Sequence, residues 1–190
     1  SYAFAGDVTA VAAGTVGGTF NVTVLGQTIV VSDQTRLSDR QSWHWMDDDP
    51  QSNPFNITTF QAYLASSASQ HVAVKAAKDS GGVLQALSFA IWPASTFSEV
   101  AGPVDATPAP VAASASAPGT FSVDGVAVSA PASAIHYAHD GLTAIAAGNE
   151  VIASGTFAAG VLGVAATQPF HNFVIDFGAP RAGGDDVPLY

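Results

Sequence analysis

Hydrophobic and polar positions alternate along most of this chain, and the alternation breaks at glycine-bearing turns. From Thr19 to Val24, Phe20, Val22 and Val24 fall on one face and Asn21 and Thr23 on the other, the period-two pattern of a half-buried strand. Tyr2 to Ala12 reads as a strand before it, and Leu25-Gly26 turns the chain into Thr28-Ile29-Val30-Val31. Asp124-Gly125 does the same between Phe121-Ser122-Val123 and Val126-Ala127-Val128. Glycine there accepts the positive φ of a tight hairpin turn. A short helix is predicted over Thr58–Ala68, with Asn56 placed to cap it, and another over Leu142–Ala147, with Gly148 as its C-terminal cap. Strands are predicted over His71–Ala77, Val83–Ile91, Glu150–Phe157 and Val161–Thr167, with Phe170–Phe177 extending the last sheet.

The two sets of elements are copies. Gly18-Thr19-Phe20-Asn21-Val22 recurs as Gly119-Thr120-Phe121-Ser122-Val123, and Gly82-Val83-Leu84 recurs as Gly160-Val161-Leu162. Ala5-Gly6-Asp7-Val8 has its counterpart in Ala101-Gly102-Pro103-Val104. The interval between matching blocks is shorter for Gly-Val-Leu than for Gly-Thr-Phe. The first copy therefore carries about 20 extra residues, which map between Leu37 and Thr58. Strand, strand, strand, helix, strand, strand is the order of a five-stranded barrel of the OB type. The expected fold is all-β with small helices in connections: two tandem OB-like five-stranded β-barrels. Residues 1–95 form the first, with an inserted loop at 38–57, and residues 96–190 form the second, with a C-terminal tail.

The opening Ala-Gly-x-Val, the Gly-Thr-Phe-x-Val strand with its Gly turn, the strand His71-Val72-Ala73-Val74 or Glu150-Val151-Ile152-Ala153, and the closing Gly-Val-Leu carry a resemblance. The chain resembles a bacterial family of secreted tandem β modules catalogued as a domain of unknown function, five-six-six-six. The resemblance implies a fold and an extracytoplasmic location, and it supplies no catalytic residues.

Composition narrows the partners. Only 11% of residues are charged, against about 25% in ordinary soluble domains. Fifteen acids against five bases give a net charge of -10. Phosphate contacts need a Lys/Arg surface, so nucleic acid is excluded as a partner. No apolar run is long enough for membrane insertion. There is no cysteine, which removes disulfides, thiolate metal sites and a Cys nucleophile. Much Ala, Ser, Thr and Gly with few Lys and Glu, and a first residue that is Ser, fit a mature secreted or cell-surface bacterial protein, after removal of a signal peptide or trimming.

The inserted loop is the feature that does not fit the rest. It gathers Trp43, His44, Trp45, Met46 and Asp47-Asp48-Asp49, followed by Phe55. Three readings compete: Asp47, Asp48 and Asp49 with backbone carbonyls holding calcium, Trp43 and Trp45 stacking on sugar rings, or the aromatic residues and Met46 burying against a neighbouring module or subunit. His136 and His139 are three apart, a spacing that shares one face of a helix. With His44, His71 and His171 elsewhere, a copper or zinc site is an alternative.

No nucleophile elbow, phosphate-cradling loop or metalloprotease motif is present. The expectation is therefore a non-enzymatic extracellular structural protein, without cofactor, that self-assembles into a fibre or surface layer. Its expected interface residues are Tyr2, Trp43, Trp45, Met46, Phe55 and Tyr190, with neighbouring copies holding both ends of the chain. The alternative is a secreted module that captures a metal ion or glycan through the Trp43–Asp49 loop or His136/His139.

Overall fold

The computed structural model describes residues 1–40, 56–66, 70–166 and 170–180. The class is all-β: thirteen strands and one α-helix are found among them. The chain divides into two compact units, Ala3–Ser95 and Thr96–Tyr190.

The first unit holds β1 (Tyr2–Ala13), β2 (Phe20–Val24), β3 (Gln27–Val31), β4 (Arg36–Asp39), α1 (Ile57–Ser66), β5 (His71–Lys78) and β6 (Leu84–Trp92). β1 pairs antiparallel with β2, β2 with β3 and β5 with β6, while β3 and β4 each run parallel to β6. β5 in turn neighbours β1. Leu25 and Gly26 take φ of 50° and 75°, the pair of positive values that matches hairpin twist. Phe4, Phe20, Ile29, Phe89 and Ile91 fill the interior.

α1 begins where the sequence places a cap. The amide of Thr59 donates to Asn56 Oδ1 at 3.0 Å and the amide of Asn56 donates to Thr59 Oγ1 at 3.1 Å. Amides that the start of a helix leaves unpaired are thus satisfied reciprocally. Of its ten residues, Phe60 and Leu64 are buried. Phe60 meets Phe89 edge-on, with centroids 5.4 Å apart.

The second unit holds β7 (Ser98–Pro103), β8 (Gly119–Val123), β9 (Val126–Ala130), β10 (Ile135–Tyr137), β11 (Glu150–Ala158), β12 (Val161–Gly163) and β13 (Phe173–Gly178). The pairing order repeats. β8 pairs with β9, β12 runs parallel to β9, and β11 pairs antiparallel with both β12 and β7. Val104, just after β7, bridges to Val123 in β8. Asp124 and Gly125 take φ of 45° and 78°, and Ala159 and Gly160 take 51° and 78°. Phe121, Val128, Val151, Leu162 and Val174 fill the core.

Two expectations are corrected. Leu142–Ala147 is not helical: a 3-10 turn at Ala132–Ala134 and the strand β10 stand in the connection instead. The short stretch between Gly141 and Gly148, both at positive φ, cannot overcome the cost of helix nucleation. The amide of Gly148 instead donates to Val104 O at 2.8 Å. β12 ends at Gly163 rather than Thr167, and β13 pairs with β10 and β11.

Candidate functional site

In the first unit β4, β6 and β5 lie side by side, and their register sorts residues into rows across the strands. Arg36 stands opposite Ser88 and Ser88 opposite Lys75; Ser38 stands opposite Ala90 and Ala90 opposite Ala73. Trp92 stands opposite His71, and the amide of Arg40 donates to Ile91 O at 2.7 Å, which sets Arg40 at the same end. Successive strand residues point to opposite sides. The intervening Leu37, Phe89, Ile91 and Val74 are buried, so these rows form the outer face.

That face has a definite chemistry. Ser38, Ala90 and Ala73 make a flat floor between a cationic row, Arg36 and Lys75, and a row bearing Trp92, which is 44% exposed. A register shift between Lys75 and Ala76 leaves Leu87 without an opposite residue, and it is exposed. Among the described residues none of Arg36, Arg40 and Lys75 is held in an ion pair. His71 is not available in the same way. It is buried, and its Nδ1 lies 3.1 Å from Asp7 Oδ1, tying β5 to β1. Such a face suits an acidic partner with an apolar flank.

The turn from β5 to β6 borders it. Asp79 accepts from the amide of Val83 and the side chain of Gln85, both at 3.0 Å, and from the amide of Gly81 at 2.8 Å. The Val83 amide, followed by the Gln85 side chain and, more weakly, the Gly81 amide, holds this carboxyl below its ordinary 3.8, against an opposing effect of desolvation.

The second unit offers cavities instead. One of about 200 Å³ is lined by Val111, Phe121, Ile135, Tyr137, Thr143 and Ile145. Burial, and then the nearby charge of Asp176, push the Tyr137 phenol above its ordinary value of 10.0. Asp176 is fully buried and accepts from Asn149 Nδ2 at 3.0 Å and from the Gly178 amide at 2.8 Å. A more open groove of about 720 Å³ runs past Phe97, Thr156, Val161 and Asn172. At its edge Phe97 stacks on His171, with centroids 4.2 Å apart.

Tyr2 opens β1 and is half-buried. Trp43, Trp45, Met46, Asp47, Asp49, Phe55 and Tyr190 lie outside the described residues. His136 is exposed in β10 and His139 is exposed in the turn after it. The helical premise for that pair fails, because His136 lies in a strand and His139 in the turn that follows it. Among the described residues no group of three or more His, Asp or Glu gathers as metal ligands, and no helix is long and apolar enough to cross a membrane.

Sequence reasoning missed the face on β4, β6 and β5. Its signal was present in part: alternation through Phe89 and Ile91 puts Ser88, Ala90 and Trp92 on the opposite side. The rest depends on β4, which falls at the start of the inserted stretch.

Residues 5–88 match the family model described as Domain of unknown function (DUF5666). No curated protein and no solved structure matches the chain.

Proposed function

With residues 5–88 a DUF5666 domain, we propose that this chain is a non-enzymatic, secreted structural subunit of bacterial origin that self-assembles into a fibre or surface layer. We read its two units as tandem OB-type barrels. The pairing order supports that reading, since β1-β2-β3-β6-β5 in the first unit has its counterpart in β7-β8-β9-β12-β11 in the second.

One observation carries the assembly reading. Each copy exposes large apolar side chains at positions related by one sequence interval: Val83 and Trp92, the end of β6, in the first, at 45% and 44%, and Val161 and Phe170, in the turn before β13, in the second, at 38% and 84%. Val161 follows Val83 at the same interval as Phe170 follows Trp92, and that interval also relates the two Gly-Val-Leu turns. Scattered exposed apolar residues are ordinary on a monomer. Exposed apolar residues at matching sequence positions of two copies, in a chain with few charges to hold it in solution, fit a surface that repeats are meant to cover. We read the contact of His71 with Asp7 as a brace between β5 and β1.

Light scattering after gel filtration, with negative-stain electron microscopy, tests this. The expected result is concentration-dependent growth into regular assemblies that Trp92→Ser with Phe170→Ser shortens or abolishes. A monodisperse monomer at millimolar concentration, with no filament or lattice, overturns it.

A further inference from the structure

We propose that the outer face of β4, β6 and β5 is the docking surface for the second unit of another copy of this chain, with the acidic tip of the β8–β9 hairpin as the element it receives. The inference rests on the assembly reading and names its contact.

The charge distribution carries it. In a chain with 15 acids and five bases, every base has an excess of intramolecular acids to choose from. Yet Arg36 and Lys75 share one face of the first unit, Arg40 follows at the end of β4, and none of these three of the five bases enters an ion pair among the described residues. The second unit is the complement. Its described residues include Glu99, Asp105, Asp124, Asp140, Glu150 and Asp176 and no Lys or Arg. Asp176 is buried, which leaves the other five to face outward in part.

Two of those five sit together at a hairpin tip. Asp105 accepts from the amides of Asp124 and Gly125 at 3.1 and 2.8 Å, which fixes its carboxylate beside the Asp124 turn. Arg36 and Lys75 flank Ser88, two strand spacings or about 10 Å apart. The two acids of this two-stranded tip are placed to meet the two cations over Ser88, beside the row of Ser38, Ala90 and Ala73. Copies carrying a net charge of -10 repel one another at long range. A cation-bearing face is where an acidic copy meets attraction instead. Because the face belongs to the first unit and the tip to the second, the contact is head-to-tail, and a contact of that kind propagates into an open filament unless its rotation closes a ring.

Sedimentation equilibrium on the full chain tests the proposal at low and high sodium chloride. Wild type is expected to self-associate, and to do so at least about tenfold more weakly in high salt, where exposed pairs are screened. Arg36→Glu with Lys75→Glu is expected to weaken association by a similar factor or more, and adding Asp124→Lys to that pair is expected to restore it. Arg36→Gln with Lys75→Gln supplies a milder pair should the charge reversal disturb folding, and circular dichroism checks each variant. If wild type assembles and both cation-face variants assemble equally well, this docking surface is wrong and the assembly reading stands. If wild type is a monomer throughout, both fall. If alginate binds wild type but neither variant, while self-association is unchanged, the face belongs to an acidic polysaccharide and the proposal is overturned.

Discussion

The attachment of α1 gives the sharpest quantitative test of the structure. The helix has ten residues and buries two side chains, Phe60 and Leu64. A helix of that length is marginal in isolation, so its persistence depends on what those side chains gain by docking. Each contributes about 1.5–3 kcal/mol from burial, and the edge-on contact of Phe60 with Phe89 adds roughly 0.5–1.5 kcal/mol. Phe60→Ala removes the larger share, about 3–5 kcal/mol, and leaves Leu64 as the remaining anchor. That is not enough to hold the helix, so the variant is expected to release α1 locally while β1 to β6 stay folded. Hydrogen exchange by mass spectrometry reads this directly: amides of the 57–66 segment lose protection, and those of β2, β3 and β6 keep it. A cycle with Phe89→Ala is expected to return a coupling of roughly 0.5–1.5 kcal/mol from denaturant melts. Unchanged protection of 57–66 in Phe60→Ala would refute the reasoning, since it would mean that the helix is held without Phe60.

Three further outcomes follow from the same structure. Asn56→Ala removes the reciprocal cap and is expected to cost about 1 kcal/mol in urea melts, whereas Asn56→Asp retains most of it, because an acid also accepts from the Thr59 amide. Tyr137 is held protonated in the folded state by burial and by Asp176. The folded protein therefore binds this proton more tightly than the unfolded chain, and stability is expected to fall as pH rises above 10.0 toward the folded value; Tyr137→Phe is expected to remove that part of the alkaline loss in melts across pH. Gly155 sits so close to the next strand that an added Cβ would meet the carbonyl of Gly163. Gly155→Ala is expected to destabilise the second unit by roughly 1–3 kcal/mol through forced strand separation, while Gly17→Ala, in open space, leaves the melting temperature unchanged.

What was legible in the sequence was local or repeated. Phe20, Val22 and Val24 declare a strand because the pleat has a period of two, and Leu25-Gly26 and Asp124-Gly125 declare turns because the tight hairpin needs positive φ. The Asn56 cap is equally local, as its partner Thr59 lies within the first helical turn. The duplication was visible because glycines forced by those turns recur in the same order in both halves. The tight pair Ala159-Gly160 carries the same signal without an Asp or Asn to announce it.

The connections and the candidate face were not legible in this way. Leu142–Ala147 has a helix-like apolar pattern, and what overrides it is the bond from the Gly148 amide to Val104, which lies on the far side of the β8–β9 hairpin in the chain. The parallel pairings of β3 and β4 with β6, and of β9 with β12, join strands that other elements separate in sequence, and no periodicity encodes a partner. Arg36 and Lys75 are separated in sequence by the whole inserted stretch and by α1, and only their shared pairing with Ser88 makes them neighbours. The sequence by itself determined the strands, the turns, the repeat and the scarcity of cations. The tertiary structure decided where those cations meet, because register is a property of paired strands and not of any one of them.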